Sequence, residues 1–206
     1  VGRGARQVEK GLGFFGGEAK ERVAMDLGAS TGGFTDVLLQ NDAAHVYAID
    51  VGYGQLDWKL RNDPRVTVMG RTNARYLTAD DLPLKPTLGV MDVSFISITK
   101  ILPAAAAIMG EDGEFISRIK PQFEAGREDV GKKGVVRDAA VHERVLRDFL
   151  EAAPGLGYSV MGLDYSPVRG PEGNIEYLAY LKKGAFEAPI PDAAEIVAAS
   201  HRELAK

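Results

Sequence analysis

Asp26, Asp50 and Asp92 each lie in or at the end of an apolar run of strand character, and Lys120 closes another, FISRIK. In open α/β sheets ligands gather at the carboxyl ends of the strands, so acids and a lysine at that level are candidates for ligand binding and proton handling. After the first run comes the turn Gly28-Ala29-Ser30-Thr31-Gly32-Gly33, which opens a helix with Phe34. Such a glycine-rich turn lets the backbone approach a ligand closely and aims a helix N-terminus at it. Asp50 stands 22 residues after Gly28, where a carboxylate accepts hydrogen bonds from both hydroxyls of an adenosine ribose. Ser30 occupies a position where the dinucleotide fingerprint G-x-G-x-x-G needs glycine, which disfavours a nicotinamide dehydrogenase. The plain alternatives are a tight turn serving helix packing and acids serving as helix caps.

The elements that must position these residues alternate between strand and helix, which predicts an α/β fold with a mostly parallel seven-stranded sheet. Strands are expected over Val23 to Leu27, His45 to Asp50, Val66 to Met69, Leu88 to Asp92, Glu114 to Ile119, Tyr158 to Asp164 and Ile175 to Lys182. Helices are expected over Ala5 to Phe15, Gly33 to Gln40, Gln55 to Arg61, Ile98 to Met109, Asp138 to Ala153 and Asp192 to Leu204. Only a loop separates the last two strands, so they form a hairpin that puts one antiparallel strand into the sheet. Residues 122 to 137, QFEAGREDVGKKGVVR, have no sustained period and read as a long, mobile, functional loop. The expected division is an N-terminal linker and helix over 1–22 and one domain over 23–206.

Composition narrows the classes. The 206 residues are 45% hydrophobic and 26% charged, enough apolar content for one sizeable core and against disorder or coiled coil. There is no cysteine and there are three scattered histidines, so thiolate chemistry is excluded and no metal site is expected. No run reaches the ~18 apolar residues of a membrane span, and a cytoplasmic protein is expected. The net charge of −4 announces no polyanion partner, yet residues 118 to 147 hold eight basic side chains (Arg118, Lys120, Arg127, Lys132, Lys133, Arg137, Arg144, Arg147) against five acids. That local excess, with Arg3, Arg6 and Lys10, is a candidate salt-dependent phosphate-binding surface. Trp58, in an apolar helical pattern, is expected to belong to the core.

The blocks MDLGASTGGFTDVLLQ, YAIDVGYGQLDWKLRNDPRV, RTNARYL, MDVSFISITKILP, IKPQFEAGRE, GKKGVVRD and GPEGNIEYL resemble the TlyA, or hemolysin A, family of ribosomal RNA 2′-O-methyltransferases, whose domain is FtsJ-like. The resemblance runs from about Val23 to Lys182. It implies a Rossmann-like methyltransferase fold, S-adenosylmethionine as cofactor and a ribose 2′-hydroxyl of ribosomal RNA or ribosomal subunits as acceptor. It also implies that Asp26, Gly28, Ser30, Thr31, Gly32, Gly33 and Phe34 shape the methionine side of a pocket. Asp50 and Val51 would then hold the ribose, Thr72, Asn73 and Ala74 would lie near adenine, and Asp92 would border both cofactor and acceptor. Of the family's Lys-Asp-Lys-Glu tetrad, Asp92, Lys120 and Glu176 match. Gln7 stands in place of the first lysine, with Lys10 one turn later as the candidate replacement. The N-terminal S4-type RNA-binding domain usual in the family is expected to be missing.

A 2′-hydroxyl is a weak acid, so methyl transfer to it needs in-line alignment and removal of a proton. A neighbouring Asp92 favours the ammonium form of Lys120 and a neighbouring cation opposes it. Asp92 and Glu176 are therefore read as orienters, and Lys120 as proton acceptor or as stabiliser of the developing alkoxide. Two other readings stand beside this one: a catalytically impaired cofactor- or RNA-binding domain, because of Gln7, and a hemolysin-like membrane-active protein.

Overall fold

A computed structural model describes residues 19–111 and 113–204, so the expected helix Ala5 to Phe15, Gln7 and Lys10 lie outside the described residues. Seven strands form one sheet: β1 (Val23–Leu27), β2 (His45–Ile49), β3 (Val66–Met69), β4 (Leu88–Met91), β5 (Glu114–Ile119), β6 (Tyr158–Tyr165) and β7 (Tyr177–Lys183). Their order is β3-β2-β1-β4-β5-β7-β6. The first five run parallel, and β7 pairs antiparallel with both β5 and β6. The expected α/β sheet with one antiparallel strand is thus the observed one. That strand is inserted between two others, so Glu176, just ahead of it, lies inside the sheet and is fully buried instead of solvated on an edge.

Six helices are described: α1 (Gly33–Gln40), α2 (Trp58–Arg61), α3 (Leu102–Ile108), α4 (Pro121–Glu124), α5 (Ala139–Leu156) and α6 (Ala193–Leu204). Side chains alternate across a strand, and the two faces carry separate cores. Ala24, Val46, Val90, Ile116 and Leu178 pack with Phe34, Leu38 and Leu60 of α1 and α2. Met25, Ile49, Met91, Phe115 and Tyr177 pack with Leu102, Leu146 and Val197 of α3, α5 and α6. A chain of polar contacts also fastens α6: His201 Nε2 lies 2.9 Å from His142 Nδ1, and the Tyr177 hydroxyl lies 2.8 Å from Ser200 Oγ.

Three expected helices change for local reasons. The one expected over Gln55 to Arg61 shrinks to α2, because the Asp57 carboxylate caps it at Lys59 N, 2.9 Å away. With one turn left, Leu60 takes the inward position and Trp58 is 76% exposed, against its expected place in the core. The helix expected over Ile98 to Met109 divides into a 3-10 turn, Ile98–Lys100, and α3, where Pro103 starts the new helix because its ring cannot follow a preceding turn. The helix expected to end at Ala153 runs through Pro154 to Gly157, whose φ of 101° stops it. Residues 122 to 137 form α4 and two 3-10 turns and are pinned in place. Glu124 accepts from Ser97 Oγ (2.7 Å) and Ile98 N (3.1 Å), and Asn174 accepts from Val136 N (3.0 Å).

A Cβ added at Gly89 in β4 would lie 2.4 Å from the Phe115 ring. Gly89→Ala is expected to lower stability by about 1–3 kcal/mol. The urea midpoint should fall at unchanged slope and recover in part when Phe115→Leu is added.

Candidate active site

The turn after β1 is built against its neighbours. Gly28 has φ +82°, and a Cβ there would lie 2.2 Å from the Asp92 carbonyl oxygen, so the turn needs glycine to meet the end of β4. Gly28 N and Ala29 N both donate to the Ile49 carbonyl at 2.9 and 3.0 Å. The Asp50 carboxylate then accepts from Ser30 N with one oxygen and from Gly52 N with the other, at 3.1 Å. Ser30, with φ 49°, is thereby held in a left-handed conformation uncommon for a residue with a side chain. A cavity of about 550 Å³ opens over this turn, within the size range of small-ligand sites.

Gly28, Ser30, Asp50, Val51, Thr72, Asn73, Ala74 and Asp92 line that cavity together with Ser94 and Phe95. Thr31, Gly32 and Gly33 do not line it. The Thr31 carbonyl accepts from Asp57 N at 3.0 Å, and a Cβ at Gly32 would strike Leu60. Phe34, expected at the cofactor, points instead into the core and is 6% exposed, because the first turn of α1 must bury an apolar side chain against the sheet. Asp26 lies beneath the cavity and is 1% exposed; the Thr35 hydroxyl donates to its Oδ2 at 2.7 Å, and among the described residues its Oδ1 has no hydrogen-bond partner.

The acids and cations meet by strand alternation. Val90 leads to Asp92, Ile116 to Arg118 and Lys120, and Leu178 back to Glu176, all on one face. The register Met91↔Ser117 and Ile119↔Tyr177 puts Asp92 beside Arg118 and Glu176 beside Lys120, one step further on. Lys120 Nζ lies 2.6 Å from Asp92 Oδ1 and 3.0 Å from Ser94 Oγ. Arg118 reaches Asp92 Oδ2 at 2.6 Å with one arm and Glu176 Oε1 with the other. Gln122 Nε2 donates to Glu176 Oε2 at 2.8 Å. Burial works against the charge on Asp92, but Arg118 and Lys120 outweigh it and hold the carboxyl below the usual carboxylate range. Burial raises the Glu124 carboxyl, against the bonds from Ser97 and Ile98.

Sequence reasoning missed Arg118, Ser94 and Gln122 as site residues and placed Arg118 on the phosphate-binding surface. Arg118 is buried, Lys120 is buried beside it, Arg144 pairs with Asp129 and Arg147 with Glu143. Four of the eight basic groups in that stretch therefore have acidic partners. Exposed aromatics lie elsewhere: Phe95, which lines the cavity, is 89% exposed with φ 65°, and the exposed Tyr53 carries the Arg71 guanidinium 4.6 Å from its ring centre. An aromatic three residues after a strand-end acid, in a turn rather than a helical or strand pattern, is the signal that could have found Phe95.

A family profile described as FtsJ-like methyltransferase matches residues 1–183. The 16S/23S rRNA (cytidine-2′-O)-methyltransferase TlyA of Mycobacterium tuberculosis is 46% identical over 182 residues, which cover 88% of this chain and 68% of that protein. Hemolysin A of Brachyspira hyodysenteriae is 42% identical over 181 residues, covering 87% and 75%. A solved structure of a candidate hemolysin from Streptococcus thermophilus superposes with a TM-score of 0.95 at 47% identity, covering all of this chain and 75% of the other. Among the described residues no helix is long and apolar enough to cross a membrane, and no three His, Cys, Asp or Glu side chains form a metal-binding group.

Burial pushes the Asp26 carboxyl up to about 7; the Thr35 hydroxyl bond resists this, and the charges of Asp92 and Asp50 add to it. The folded chain therefore holds a proton that the unfolded chain releases near pH 4, and this contribution to stability fades as pH rises through about 7. Asp26→Asn keeps the neutral shape. The ligand-free variant is expected to gain on the parent between about pH 4 and pH 7, by about 4 kcal/mol over that whole range, with no further gain above about pH 7, and by about 3 kcal/mol between pH 5 and pH 8.5. Urea midpoints measured at both pH values check this; an equal effect at the two would contradict it.

Proposed function

The chain belongs to the FtsJ-like methyltransferase family, and on that premise we propose that it transfers a methyl group from S-adenosylmethionine to a ribose 2′-hydroxyl of ribosomal RNA. The observation that carries this reading is the pairing of the buried Lys120 with Asp92, which lines the cavity that Gly28, Ser30 and Asp50 cradle. The name of the M. tuberculosis relative, an rRNA (cytidine-2′-O)-methyltransferase, supports the substrate class.

The cavity fits the cofactor. Each Asp50 oxygen accepts one backbone bond, and a carboxylate oxygen accepts two, so both retain capacity for ribose hydroxyls. Thr72, Asn73 and Ala74 form the wall where adenine would lie. When bound, S-adenosylmethionine supplies an electrophilic methyl group on a sulfonium. The chain's own residues do the rest. Asp92 and Ser94 fix Nζ of Lys120 at the cavity rim, where it meets the acceptor oxygen. Nζ pairs with Asp92 as a cation at rest; once it has given its proton to solvent, the amine receives the 2′-hydroxyl proton while the new C–O bond forms and the methyl's bond to sulfur breaks, and Asp92 again holds the ammonium. Phe95, exposed on the cavity wall, suits an unstacked base, and the exposed Tyr53 with Arg71 over its ring suits a second base or a phosphate.

Calorimetric titration is expected to give micromolar binding of S-adenosylmethionine that Asp50→Ala abolishes. With ribosomal RNA, Lys120→Met should lower kcat by about 10²–10⁴-fold while cofactor binding persists. The methylated site should resist alkaline cleavage, since a 2′-O-methyl group blocks it; a base-methylated product, or no cofactor binding, would sink the reading. Phe95→Ala should weaken RNA binding by about 1–3 kcal/mol, seen as a raised KM for RNA at saturating cofactor.

A further inference from the structure

Arg118 stands two residues before Lys120 on β5, on the same face and 7% exposed. Its guanidinium spans two carboxylates from different parts of the chain, Asp92 after β4 and Glu176 before β7. A planar fork of fixed donors does this; the single point charge of a lysine does not. Structural utility alone explains it poorly, because a buried ion pair adds little stability over apolar side chains of similar volume. The preceding position on that face, Ile116, is such a side chain.

Glu176 is fully buried, and the backbone at Gly170 packs so close that a Cβ there would lie 2.3 Å from its Oε2. In this arrangement Glu176 does not meet a substrate, and it reaches Lys120 through the series Glu176, Arg118, Asp92, Lys120. Two acids with Lys120 alone would leave an uncompensated negative charge in a nearly dry place; Arg118 makes the four-residue cluster neutral.

We propose that Arg118 is the positioning residue of the methyl-transfer site, the link through which Glu176 acts and the group that fixes the Asp92 carboxylate so that its other oxygen presents Lys120 to the acceptor. The catalytic consequence rests on the 2′-O-methylation reading; the electrostatic one does not. Asp92 faces Arg118 and Lys120 directly, with Asp26 from β1 as the neighbouring acid and Glu176 behind Arg118.

The test uses the whole chain with Arg118→Met, Arg118→Lys, Glu176→Gln and the double variant Arg118→Met/Glu176→Gln. Carbon-13 NMR titration should find the Asp92 carboxyl moving upward in pH on Arg118→Met, a change that loss of packing alone would not produce. Methyl-transfer kinetics should show kcat down by about 100-fold or more in Arg118→Met, with KM for RNA and cofactor affinity within about threefold of the parent. Adding Glu176→Gln to that variant should change kcat by less than about threefold. An Asp92 titration unmoved by Arg118→Met, kcat retained within threefold, or losses that multiply between Arg118→Met and Glu176→Gln would each overturn the proposal. Should Arg118→Met fail to fold, Arg118→Lys decides: one carboxylate contact is lost and kcat falls about tenfold, whereas parental kcat overturns the role. A parent chain that methylates no RNA sinks the reading of function, and the Asp92 titration still decides the place of Arg118.

Discussion

Asp92 carries a negative charge in a largely enclosed position because Arg118 and Lys120 converge on its two oxygens. Taking a carboxylate out of water is expensive, and only cations with good geometry offset that cost. This requirement dictates much of the surrounding architecture. β4 must end beside β5, β5 must present two long cations at alternate positions of one face, and a second acid must arrive to balance them. The antiparallel β7 answers the last need, since it starts at the level of the parallel strands' carboxyl ends and Glu176 immediately precedes it.

The two aspartates on this face show how environment divides one residue type into two roles. Asp26, bonded by Thr35 and with no cation beside it among the described residues, favours its protonated form up to about pH 7. Asp92, one strand away, stays ionised. Titratable neighbours pushed in opposite directions are a common mark of acid and base sites. The neutral one here lies under the floor, where it shapes the turn, and the charged one lies at the rim. Asp50 differs from both. Its carboxylate ties Ser30 and Gly52 before any ligand arrives, so less ordering is left for binding to offset.

Strand positions were readable because alternation and short apolar runs survive without knowledge of partners, and all seven strands overlap their expected ranges. The cavity residues were readable where backbone chemistry dictates the type, as at Gly28 and Asp50. What the sequence concealed depends on long-range pairing. Arg118 looks like any surface charge until Asp92, 26 residues away, and Glu176, 58 residues away, are folded against it. Phe34 and Trp58 exchange their expected places in the same way. An aromatic at a glycine-rich turn suggests a ligand contact and one in a helical pattern suggests core, yet helix length decides both. α1 extends far enough to bury Phe34, and α2 ends too soon to bury Trp58.

The insertion of β7 between β5 and β6 has a consequence for the order of assembly. Both neighbours precede it in the chain, so the sheet remains split until the last strand has been made and slides into the gap. Contacts of such long sequence separation form slowly, because the entropy of closing the chain is lost before pairing compensates it. A growing chain therefore carries the glycine turn, with Gly28, Ser30 and Asp50, long before it carries a charge-balanced cluster around Asp92. Completion of the sheet and completion of that cluster are the same event.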